Sequence, residues 1–368
     1  MSEFQTFKKD LTKSRIVETD EHQAIEALQD GEVLVRIERF AFTANNVTYG
    51  AAGDTIGYWK FFPASADVDE EWGCLPVWGF AEIRISKVDE LLVGERIYGY
   101  FPPADFLVLS PKKISLPRFV DGAAHRAELP AVYNNYIRMS AEENCDSDTD
   151  NLRSLLNPLH ITSFCLCDSL EDSAYEGASQ IVVLSASSKT AIGLAQGLAD
   201  LVDSPLVVGI TSSKNYDFVA SLGCYENTIC YDELSSLDTS KPTVMVDMAG
   251  NRAVLGELHE ALGEKLLSCV SVGMTHWETL DDKDPLAAKI NRARSHFFFA
   301  PAHIQKRIGD WGQDGFNQRT SAFMAARIAQ SADWMSVTSI TGFDAFSDTY
   351  KEIVVGKMNP NEGLIICP

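Results

Sequence analysis

The sequence predicts an α/β fold in which a β-rich part accompanies a doubly wound parallel sheet. Residues 180–185, 205–211, 243–247 and 267–273 are short apolar runs, and stretches with helical spacing lie between several of them. Strands covered on both faces have such runs, and parallel neighbours need crossover helices. Earlier in the chain, residues 32–40 alternate apolar and polar side chains, which is typical of a half-buried strand.

Further elements follow in chain order. Residues 94–101 and 106–109 continue the β character of the first third, and residues 49–78 between the strands are rich in glycine, proline and aromatic side chains. The acidic residues 140–151 predict a surface loop near a domain boundary. Residues 190–201 have helical spacing, residues 216–222 predict a helix that ends at Gly223, and residues 228–231 predict a strand.

The charge balance narrows the classes of partner. There are 31 basic and 52 acidic residues, and the net charge is −21. Such a surface repels phosphate backbones and anionic lipids, so we expect neither nucleic acid nor membrane as a partner. The apolar runs are too short to span a bilayer. The first ten residues lack the apolar segment of a signal peptide, and we therefore expect a cytoplasmic protein.

The chain contains eight cysteines and no C-x-x-C pair. Disulfide frameworks and zinc knuckles need closer, regular spacing. We therefore expect free thiols that pack as small apolar side chains.

The turn after the first parallel strand is a candidate phosphate site. It reads Ser185-Ala-Ser-Ser-Lys-Thr-Ala-Ile-Gly193 and lacks the glycine fingerprint of dinucleotide-binding turns. Its small side chains still allow a pyrophosphate to approach the helix N-terminus, where amides and the helix dipole favour an anion. The candidate residues are Ala186, Ser187, Ser188, Lys189 and Thr190. A helix capped by Ser188 beside a solvated Lys189 is the alternative.

The turn after the second strand favours NADP(H) as the cofactor. Thr211, Ser212, Ser213 and Lys214 supply hydroxyls and a cation, and the turn contains no carboxylate. At this position an acidic residue binds the ribose of NAD, whereas a cation accommodates the 2′-phosphate of NADP. An ordinary polar turn is the alternative.

The order of these segments resembles the zinc-free, quinone oxidoreductase-like members of the medium-chain dehydrogenase/reductase superfamily. The resemblance rests on Gly31-Glu-Val-Leu-Val-Arg-Ile, Pro76-Val-Trp-Gly-Phe-Ala-Glu82, Val93-Gly-Glu-Arg-Ile-Tyr-Gly99 and the segments of the second half, through Val355-Gly-Lys-Met. Thr43-Ala-Asn-Asn-Val-Thr-Tyr49, Gly57-Tyr-Trp-Lys-Phe-Phe-Pro63 and Tyr133-Asn-Asn-Tyr136 resemble the DUF2855 group within that superfamily.

The resemblance implies a GroES-like catalytic domain, residues 1–150 and 301–368, and a Rossmann nucleotide-binding domain, residues 151–300. It adds Tyr231 and Gly273 to the candidate cofactor-binding residues. Phe80 occupies the place of a zinc-ligand histidine, and the closely spaced cysteines of the structural zinc lobe are missing, so we expect no metal.

The resemblance also places the substrate cleft after the opening barrel strand. Tyr49 is the candidate proton donor, and Asn45 or Thr48 would orient the substrate; a polar turn with local hydrogen bonds is the alternative. Candidate pocket residues share aromatic or amide side chains, and aromatic core packing explains them equally well. They are Tyr58, Trp59, Phe61, Tyr133 and Asn134.

Two further expectations concern surfaces. Asp168, Glu171 and Asp172 form an acidic face with no cation nearby in sequence, which indicates a solvated face.

Residues 297–301 are apolar and predict an edge strand of the nucleotide-binding sheet. Since relatives often dimerise through such an edge, we expect a homodimer; a strand buried within one monomer is the alternative.

These observations predict an NADP(H)-dependent reductase that acts by hydride transfer, without zinc, on a small-molecule carbonyl or α,β-unsaturated carbonyl substrate. Two alternatives remain. One is a C–C lyase or hydrolase on a β-dicarbonyl compound, and the other is a non-catalytic NADPH-binding regulatory protein.

Overall fold

The protein folds into two compact units. A computed structural model describes residues 1–66, 70–141, 146–272 and 289–368. The first unit comprises Met1–Pro158 and Met335–Pro368, and the second comprises Leu159–Trp334.

The first unit is built on β-sheet. Its strands are β1 (Ser2–Phe7), β2 (Ser14–Glu18), β3 (Val33–Phe42), β4 (Trp72–Gly73), β5 (Val77–Ser86), β6 (Arg96–Phe101), β7 (Phe106–Leu109), β8 (Pro111–Lys112), β9 (Arg118–Asp121), β10 (Asn135–Arg138), β17 (Ser336–Thr341) and β18 (Glu362–Cys367). The main sheet has the order β17-β18-β3-β5-β6-β10-β9-β8, and β7 pairs with β3. A smaller sheet has the order β2-β1-β4.

Short helices complete the first unit. They are α1 (Glu21–Ala27), α2 (Ala44–Ala51), α3 (Gly53–Ile56) and α9 (Phe343–Val354). Along β3, Val33, Val35 and Ile37 alternate into one core, as the two-residue period predicted. Phe346 of α9 packs on Phe42 of β3 with ring centroids 5.1 Å apart. The strand predicted from residues 32–40 is therefore confirmed, and its far end leads directly into α2.

The pairing of β3 with β5 depends on a glycine. A Cβ atom on Gly79 would lie 2.1 Å from the carbonyl oxygen of Arg39 and 2.7 Å from the Cα of Phe40. The register of the two strands shifts between Ile37 and Arg39, and this shift brings the backbones so close. Only a residue without a side chain fits there.

The second unit contains the predicted parallel sheet. Its strands are β11 (Gln180–Leu184), β12 (Leu206–Thr211), β13 (Asn227–Cys230), β14 (Thr243–Asp247), β15 (Leu266–Val272) and β16 (Ser295–Phe298). Every described pairing between them is parallel. Their order, β13-β12-β11-β14-β15-β16, is the doubly wound order 3-2-1-4-5-6. The predicted α/β class is confirmed, and β16 is an edge strand as predicted.

Helices cover the two faces of this sheet. They are α4 (Ser147–Asp172), which begins in the first unit, α5 (Lys189–Ala199), α6 (Tyr216–Ser221), α7 (Arg252–Leu262) and α8 (Ala300–Ser331). The α5 helix packs closely on α4, since a Cβ atom on Gly193 would lie 2.6 Å from the ring of His160. The α8 helix bends at Gly312, whose φ is +70°.

The unit boundaries differ from the predicted ones. The predicted boundaries followed residues 150 and 300, whereas the units divide after Pro158 and Trp334. The second difference arises because α8 belongs to the second unit. Its Phe323 packs edge-on against Phe164 of α4 at 5.6 Å, and its Arg327 pairs with Asp200 at the end of α5.

Two expectations about acidic residues were wrong. The stretch 140–151 is not a loop throughout, because α4 begins at Ser147 with acidic residues in its first turn, where the helix dipole favours them. Asp168 accepts hydrogen bonds from His303 (2.6 Å) and from the Arg307 guanidinium (2.5 Å). Asp172 pairs with Lys306 at 2.9 Å. His303, Lys306 and Arg307 lie on α8, too far along the chain for sequence spacing to reveal these partners.

The cysteines follow expectation where they are described. Apart from Cys145, which lies outside the described residues, the cysteines carry free thiols. All of these are buried except Cys367, which is half-buried. In the described part of the chain no helix combines the length and apolar character needed to cross a bilayer.

We expect Gly79→Ala to destabilise the protein by roughly 1–3 kcal/mol, since the added methyl group overlaps the backbone of β3. Gly309→Ala is the matched control, because Gly309 is an exposed residue of α8 with open space around it. That change should stabilise the helix by about 1 kcal/mol. Denaturant unfolding of both variants measures the difference. Equal stability of the two variants would contradict the close approach.

Candidate active site

The carboxyl ends of the parallel strands meet at one edge of the sheet in the second unit. From β11 the chain moves to β12 and β13 on one side, and then returns to β14 on the other. The loops after β11 and β14 therefore leave the sheet in opposite directions, and ligands of doubly wound sheets bind at this point.

The turn after β11 is tight although it has no glycine. Ser185 has a φ of +56°, in the left-handed region that costs a residue with a side chain about 1 kcal/mol. Its amide donates a hydrogen bond to the hydroxyl of Tyr231 at 2.8 Å. The hydroxyl of Tyr225 donates to the carbonyl of Ala186 at 2.9 Å. Two tyrosines of the neighbouring segment therefore hold the turn that glycines form in the fingerprint sequence.

The start of α5 meets the requirements of a phosphate site. Ala186 and Ser187 are buried, and Lys189 and Thr190 are half-buried at the helix N-terminus. The Ser188 hydroxyl accepts a hydrogen bond from the amide of Ala191 at 3.3 Å. The capping role of Ser188, the alternative from sequence, is therefore confirmed. It is compatible with anion binding, because the first turn of a helix has several amides and the Ser188 hydroxyl takes that of Ala191.

The turn after β12 lies beside this site. Asn215 donates a hydrogen bond to the Ser187 hydroxyl at 3.0 Å, which joins the two turns. Thr211 is buried, Ser212 is half-buried, and Ser213 and Lys214 are exposed. The predicted residues of the two turns are thus brought together.

A carboxylate also reaches this turn, which the sequence reasoning missed. The Ser213 hydroxyl donates hydrogen bonds to both carboxylate oxygens of Asp232, at 3.1 and 3.3 Å. The turn has no carboxylate in its own sequence, as expected, but the fold brings one to it. Asp232 comes from the segment that follows the next strand, β13. Its position directly after Tyr231 was the available signal, since the ends of adjacent parallel strands meet at one edge.

A second acidic residue lies at the same edge. Asp247 ends β14 and accepts hydrogen bonds from the amides of Ala249 and Gly250, at 2.9 and 3.0 Å. Burial raises its pKa above the usual range of an aspartate. The predicted cofactor residue Gly273 lies outside the described residues.

In the first unit, the three candidate catalytic residues lie on α2. Thr43 caps this helix in a capping box with Asn46, which fixes its start directly after β3. Tyr49 is 7% exposed, whereas Asn45 and Thr48 are half-buried. The Thr48 hydroxyl donates a long hydrogen bond, 3.4 Å, to the carbonyl of Ala44, as the local alternative predicted.

Tyr49 belongs to a group of four tyrosines, which we call the tyrosine cluster: Tyr49, Tyr58, Tyr100 and Tyr133. The rings of Tyr49 and Tyr58 are 4.4 Å apart, and those of Tyr100 and Tyr133 are 4.9 Å apart. The hydroxyls of Tyr58 and Tyr133 share a hydrogen bond of 3.0 Å. Phe61 packs edge-on against Tyr133 at 5.2 Å. Three predicted pocket residues therefore surround the predicted proton donor.

The cluster keeps its phenols protonated. Burial and the neighbouring hydroxyl of Tyr58 raise the pKa of Tyr49 well above its usual range. Burial likewise raises the pKa of Tyr58, Tyr100 and Tyr133. A protonated phenol in apolar surroundings can donate a hydrogen bond or a proton, but it cannot act as a base.

Two polar atoms of this region have no partner among the described residues. They are the hydroxyl of Tyr100 and the indole nitrogen Nε1 of Trp78, whose rings are 5.0 Å apart. A buried donor without a partner is costly. Within the tyrosine cluster, the Tyr100 hydroxyl is therefore a buried donor without a partner among the described residues.

Two predicted pocket residues lie elsewhere. Trp59 belongs to the main core of the first unit, and its indole fills the space beside Gly53 and Gly73, where a Cβ atom would collide with it. Asn134 is buried, and its amide donates a hydrogen bond to the carbonyl of Arg126 at 3.2 Å. Trp59 is therefore a core residue, and Asn134 anchors the chain beside Tyr133.

The described residues contain no group of three or more histidine, cysteine, aspartate or glutamate side chains placed to hold a metal ion. Phe80 is fully buried in β5, and its ring packs on Tyr98 at 5.1 Å. Phe80 therefore packs in an aromatic environment, which differs from the polar environment of a metal ligand.

Comparison with known families settles the relationship. Residues 40–359 match the model of DUF2855, described as a protein of unknown function. The chain belongs to the DUF2855 family. No curated protein sequence matches it.

Solved structures with the same fold cover the chain from end to end. CurA from Vibrio vulnificus, in complex with NADPH, is 12% identical with a TM-score of 0.61, and the match covers 100% of this chain and 99% of that one. The yhdH oxidoreductase from Salmonella enterica, in complex with NADP, is 13% identical with a TM-score of 0.54 and full coverage of both chains. An ETR1P/NADP/crotonyl-CoA complex is 10% identical with a TM-score of 0.56, and the match covers 100% of this chain and 99% of that one. The DUF2855 chain thus has the GroES-like and Rossmann fold of medium-chain dehydrogenase/reductases.

Proposed function

We propose that this DUF2855 protein is an NADP(H)-dependent reductase of a carbonyl or α,β-unsaturated carbonyl compound. The observation that carries the proposal is the pair of joined turns at the carboxyl edge of the parallel sheet. The tyrosine cluster of the first unit adds buried, protonated donors. The bound NADPH or NADP in CurA and yhdH, and crotonyl-CoA in the ETR1P complex, support the cofactor and the substrate class.

The residues of the second unit fit a dinucleotide. The amides at the start of α5, with Lys189 beside them, would hold the pyrophosphate. Lys214, Ser212 and Ser213 would hold the 2′-phosphate, and Asp232 opposes it through charge repulsion. The cofactor preference therefore depends on the balance between Lys214 and Asp232.

This balance gives the first test of function. We expect NADPH to bind more tightly than NADH, and Lys214→Ala to weaken NADPH binding by roughly tenfold while NADH binding changes little. Asp232→Asn should strengthen NADPH binding and increase the preference for NADPH over NADH, because it removes a negative charge from the site. Fluorescence titration measures the affinities for NADPH and NADH in the wild type and in each variant.

Lys306→Ala is the matched control. It also removes one exposed lysine, but Lys306 lies on α8, far along the chain from both turns. Absence of binding by either dinucleotide would overturn the reductase proposal. Tighter binding of NADH than NADPH would overturn only the role assigned to Lys214.

The tyrosine cluster would supply the acid of the reaction. When bound, NADPH supplies the hydride. The hydroxyls of Tyr100 and Tyr58 would bind the substrate oxygen, and the hydroxyl of Tyr49 would donate its proton as negative charge develops there. Solvent then returns a proton to Tyr49. Asn45, half-buried one turn before Tyr49, would orient the substrate, and Thr48 would support it.

Tyr49→Phe should lower kcat by about 10²–10⁴-fold, because it removes the proton donor, with little change in NADPH affinity. Oxidation of NADPH with crotonyl-CoA, trans-2-hexenal and benzoquinone measures the loss. Tyr98→Phe is the control, since Tyr98 is buried but its hydroxyl makes only a long contact, 3.4 Å, with the carbonyl of Arg153. Because the pKa of Tyr49 is raised, wild-type kcat should not decline between pH 7 and about pH 10 through ionisation of this residue. Equal loss in both variants would contradict the assignment.

We propose that the reaction needs no zinc. Phe80 stands where the superfamily has a zinc-ligand histidine, and hydrogen-bond donors replace a Lewis acid in polarising the substrate oxygen. Activity that survives dialysis against a chelator, and that added Zn²⁺ does not raise, would agree with this arrangement.

We also propose that two copies pair through β16. It is the edge strand of the parallel sheet, its outer side has no strand partner among the described residues, and Phe297 and Phe298 are only half-buried. Sedimentation should give the mass of two chains. His296→Lys places a charge on an exposed position of this edge and should raise the monomer fraction. A monomeric wild-type protein at micromolar concentration would refute the pairing.

A further inference from the structure

Tyr49 and Trp78 share a neighbour in the first unit. Trp78 lies opposite Tyr100 in the register of β5 and β6, and the rings of these two residues are 5.0 Å apart. Tyr49 packs edge-on against Tyr100 from α2, with ring centroids 6.0 Å apart. The sheet and the helix therefore bring the indole of Trp78 and the phenol of Tyr49 to the same side of Tyr100's strand.

The indole nitrogen Nε1 of Trp78 is a buried donor that no hydrogen bond uses. The side chain as a whole is half-buried, but this atom is enclosed and has no partner among the described residues. An enclosed donor without a partner costs free energy. The cost falls when a nearby acceptor becomes charged, because a hydrogen bond to a charged oxygen is roughly twice as strong as one to a neutral oxygen.

The nearby acceptor is the hydroxyl oxygen of Tyr49. Burial and the neighbouring phenol of Tyr58 raise the pKa of Tyr49, whereas the side chains of Trp78 and Asn45 lower it as hydrogen-bond donors. Both donors therefore lie beside this oxygen. While the phenol is neutral, Nε1 of Trp78 stops short of a full hydrogen bond with it.

Proton donation would change the charge on this oxygen. Under the proposed function the O–H bond of Tyr49 breaks, the proton goes to the substrate oxygen, and the electron pair stays on the phenol oxygen as a phenolate. A charge that forms in apolar surroundings needs a compensating donor. The titratable groups that face Tyr49 are themselves phenols, those of Tyr58, Tyr98, Tyr100 and Tyr133.

We propose that Trp78 is a positioning residue for Tyr49, and that its indole N–H donates to the phenolate oxygen that forms as Tyr49 gives up its proton. The inference rests on the proposed function, since Trp78 acts through Tyr49 and not on the substrate. The hydrogen bond is strong only when the oxygen is charged. It therefore lowers the barrier to proton donation more than it stabilises the resting protein.

The ionisation of the side chain at position 49 tests this link without turnover. Replacing Tyr49 with trifluorotyrosine makes the phenol more acidic, and its fluorine NMR signal reports its ionisation. Trp78→Phe in the labelled full-length protein removes the indole N–H, so half-ionisation should need a proton concentration roughly tenfold or more lower. Half-ionisation at an unchanged pH in this variant would overturn the proposal.

Trp72→Phe is the matched control for the titration. Trp72 is also half-buried, and it packs against Phe7 in the smaller sheet, with ring centroids 5.3 Å apart. This change should leave the ionisation at position 49 as it is. If Trp78→Phe does not fold, replacing Trp78 with benzothienylalanine keeps the shape of the ring, removes the N–H and gives the same comparison.

A double-mutant cycle tests the link during turnover. Trp78→Phe should lower kcat roughly tenfold and leave KM and NADPH affinity unchanged, because the hydrogen bond forms only as charge develops. In the Tyr49→Phe background the same change should lower kcat no further. An equal loss of kcat in both backgrounds would overturn the proposal, since Trp78 would then act independently of Tyr49.

The two measurements separate this proposal from the assignment of function. Absence of NADPH oxidation with crotonyl-CoA, trans-2-hexenal and benzoquinone would count against the reductase. The titration is unaffected by that result: a shift in Trp78→Phe still supports the pairing of Trp78 with the ionised Tyr49, and no shift overturns it.

Discussion

The parallel arrangement of β11, β12, β13 and β14 is the constraint on which the candidate site depends. Parallel strands all end at one edge, so residues that are far apart in sequence meet there. The contacts of Tyr231 with Ser185, of Asn215 with Ser187 and of Asp232 with Ser213 join the segments after three different strands. None of these contacts needs a glycine fingerprint. A turn held by side chains from the neighbouring strands keeps the shape that glycine provides elsewhere, at the cost of left-handed strain at Ser185.

Much of this fold could be read from local patterns. Continuous apolar runs predicted β11, β12, β14 and β15 to within about two residues, since strands covered on both faces are mostly apolar. Alternation predicted β3 for a related reason, because in its middle Val35 and Ile37 enter the core while Arg36 and Glu38 stay at least partly exposed. The boundary after Trp334 could not be read in this way. It depends on α8 packing against α4 and α5, through Phe323 and Arg327, and a helix's own spacing does not say which unit its apolar face will cover.

The same limit explains the errors in the site. Trp59 lies one residue from Tyr58 and two from Phe61, so composition alone gave all three a common role. In the short helical turn that they form, neighbouring side chains point in different directions. Tyr58 and Phe61 face the tyrosine cluster, and Trp59 enters the core beside two glycines. Asp232 was missed for the opposite reason, since it is distant in sequence from Lys214 but follows the adjacent strand, β13. Local patterns identify which residues belong to an edge or a cluster, and topology decides which of them meet.

The chain has a net charge of −21. Such a molecule repels a dinucleotide at long range, and so the proposed cofactor binding would depend on local groups: helix amides, Lys189 and Lys214, opposed by Asp232. The tyrosine cluster carries no formal charge, because burial keeps its phenols protonated. In the proposed reaction, negative charge that develops on a substrate oxygen there would meet donors that are fixed in place and neutral. Neutral donors do not attract the anionic side chains that dominate this surface, and they need no counter-ion when the substrate is absent. A phenol-lined site is therefore well suited to an acidic protein, since a lysine or arginine in the same place would be neutralised by its surroundings before a substrate arrived.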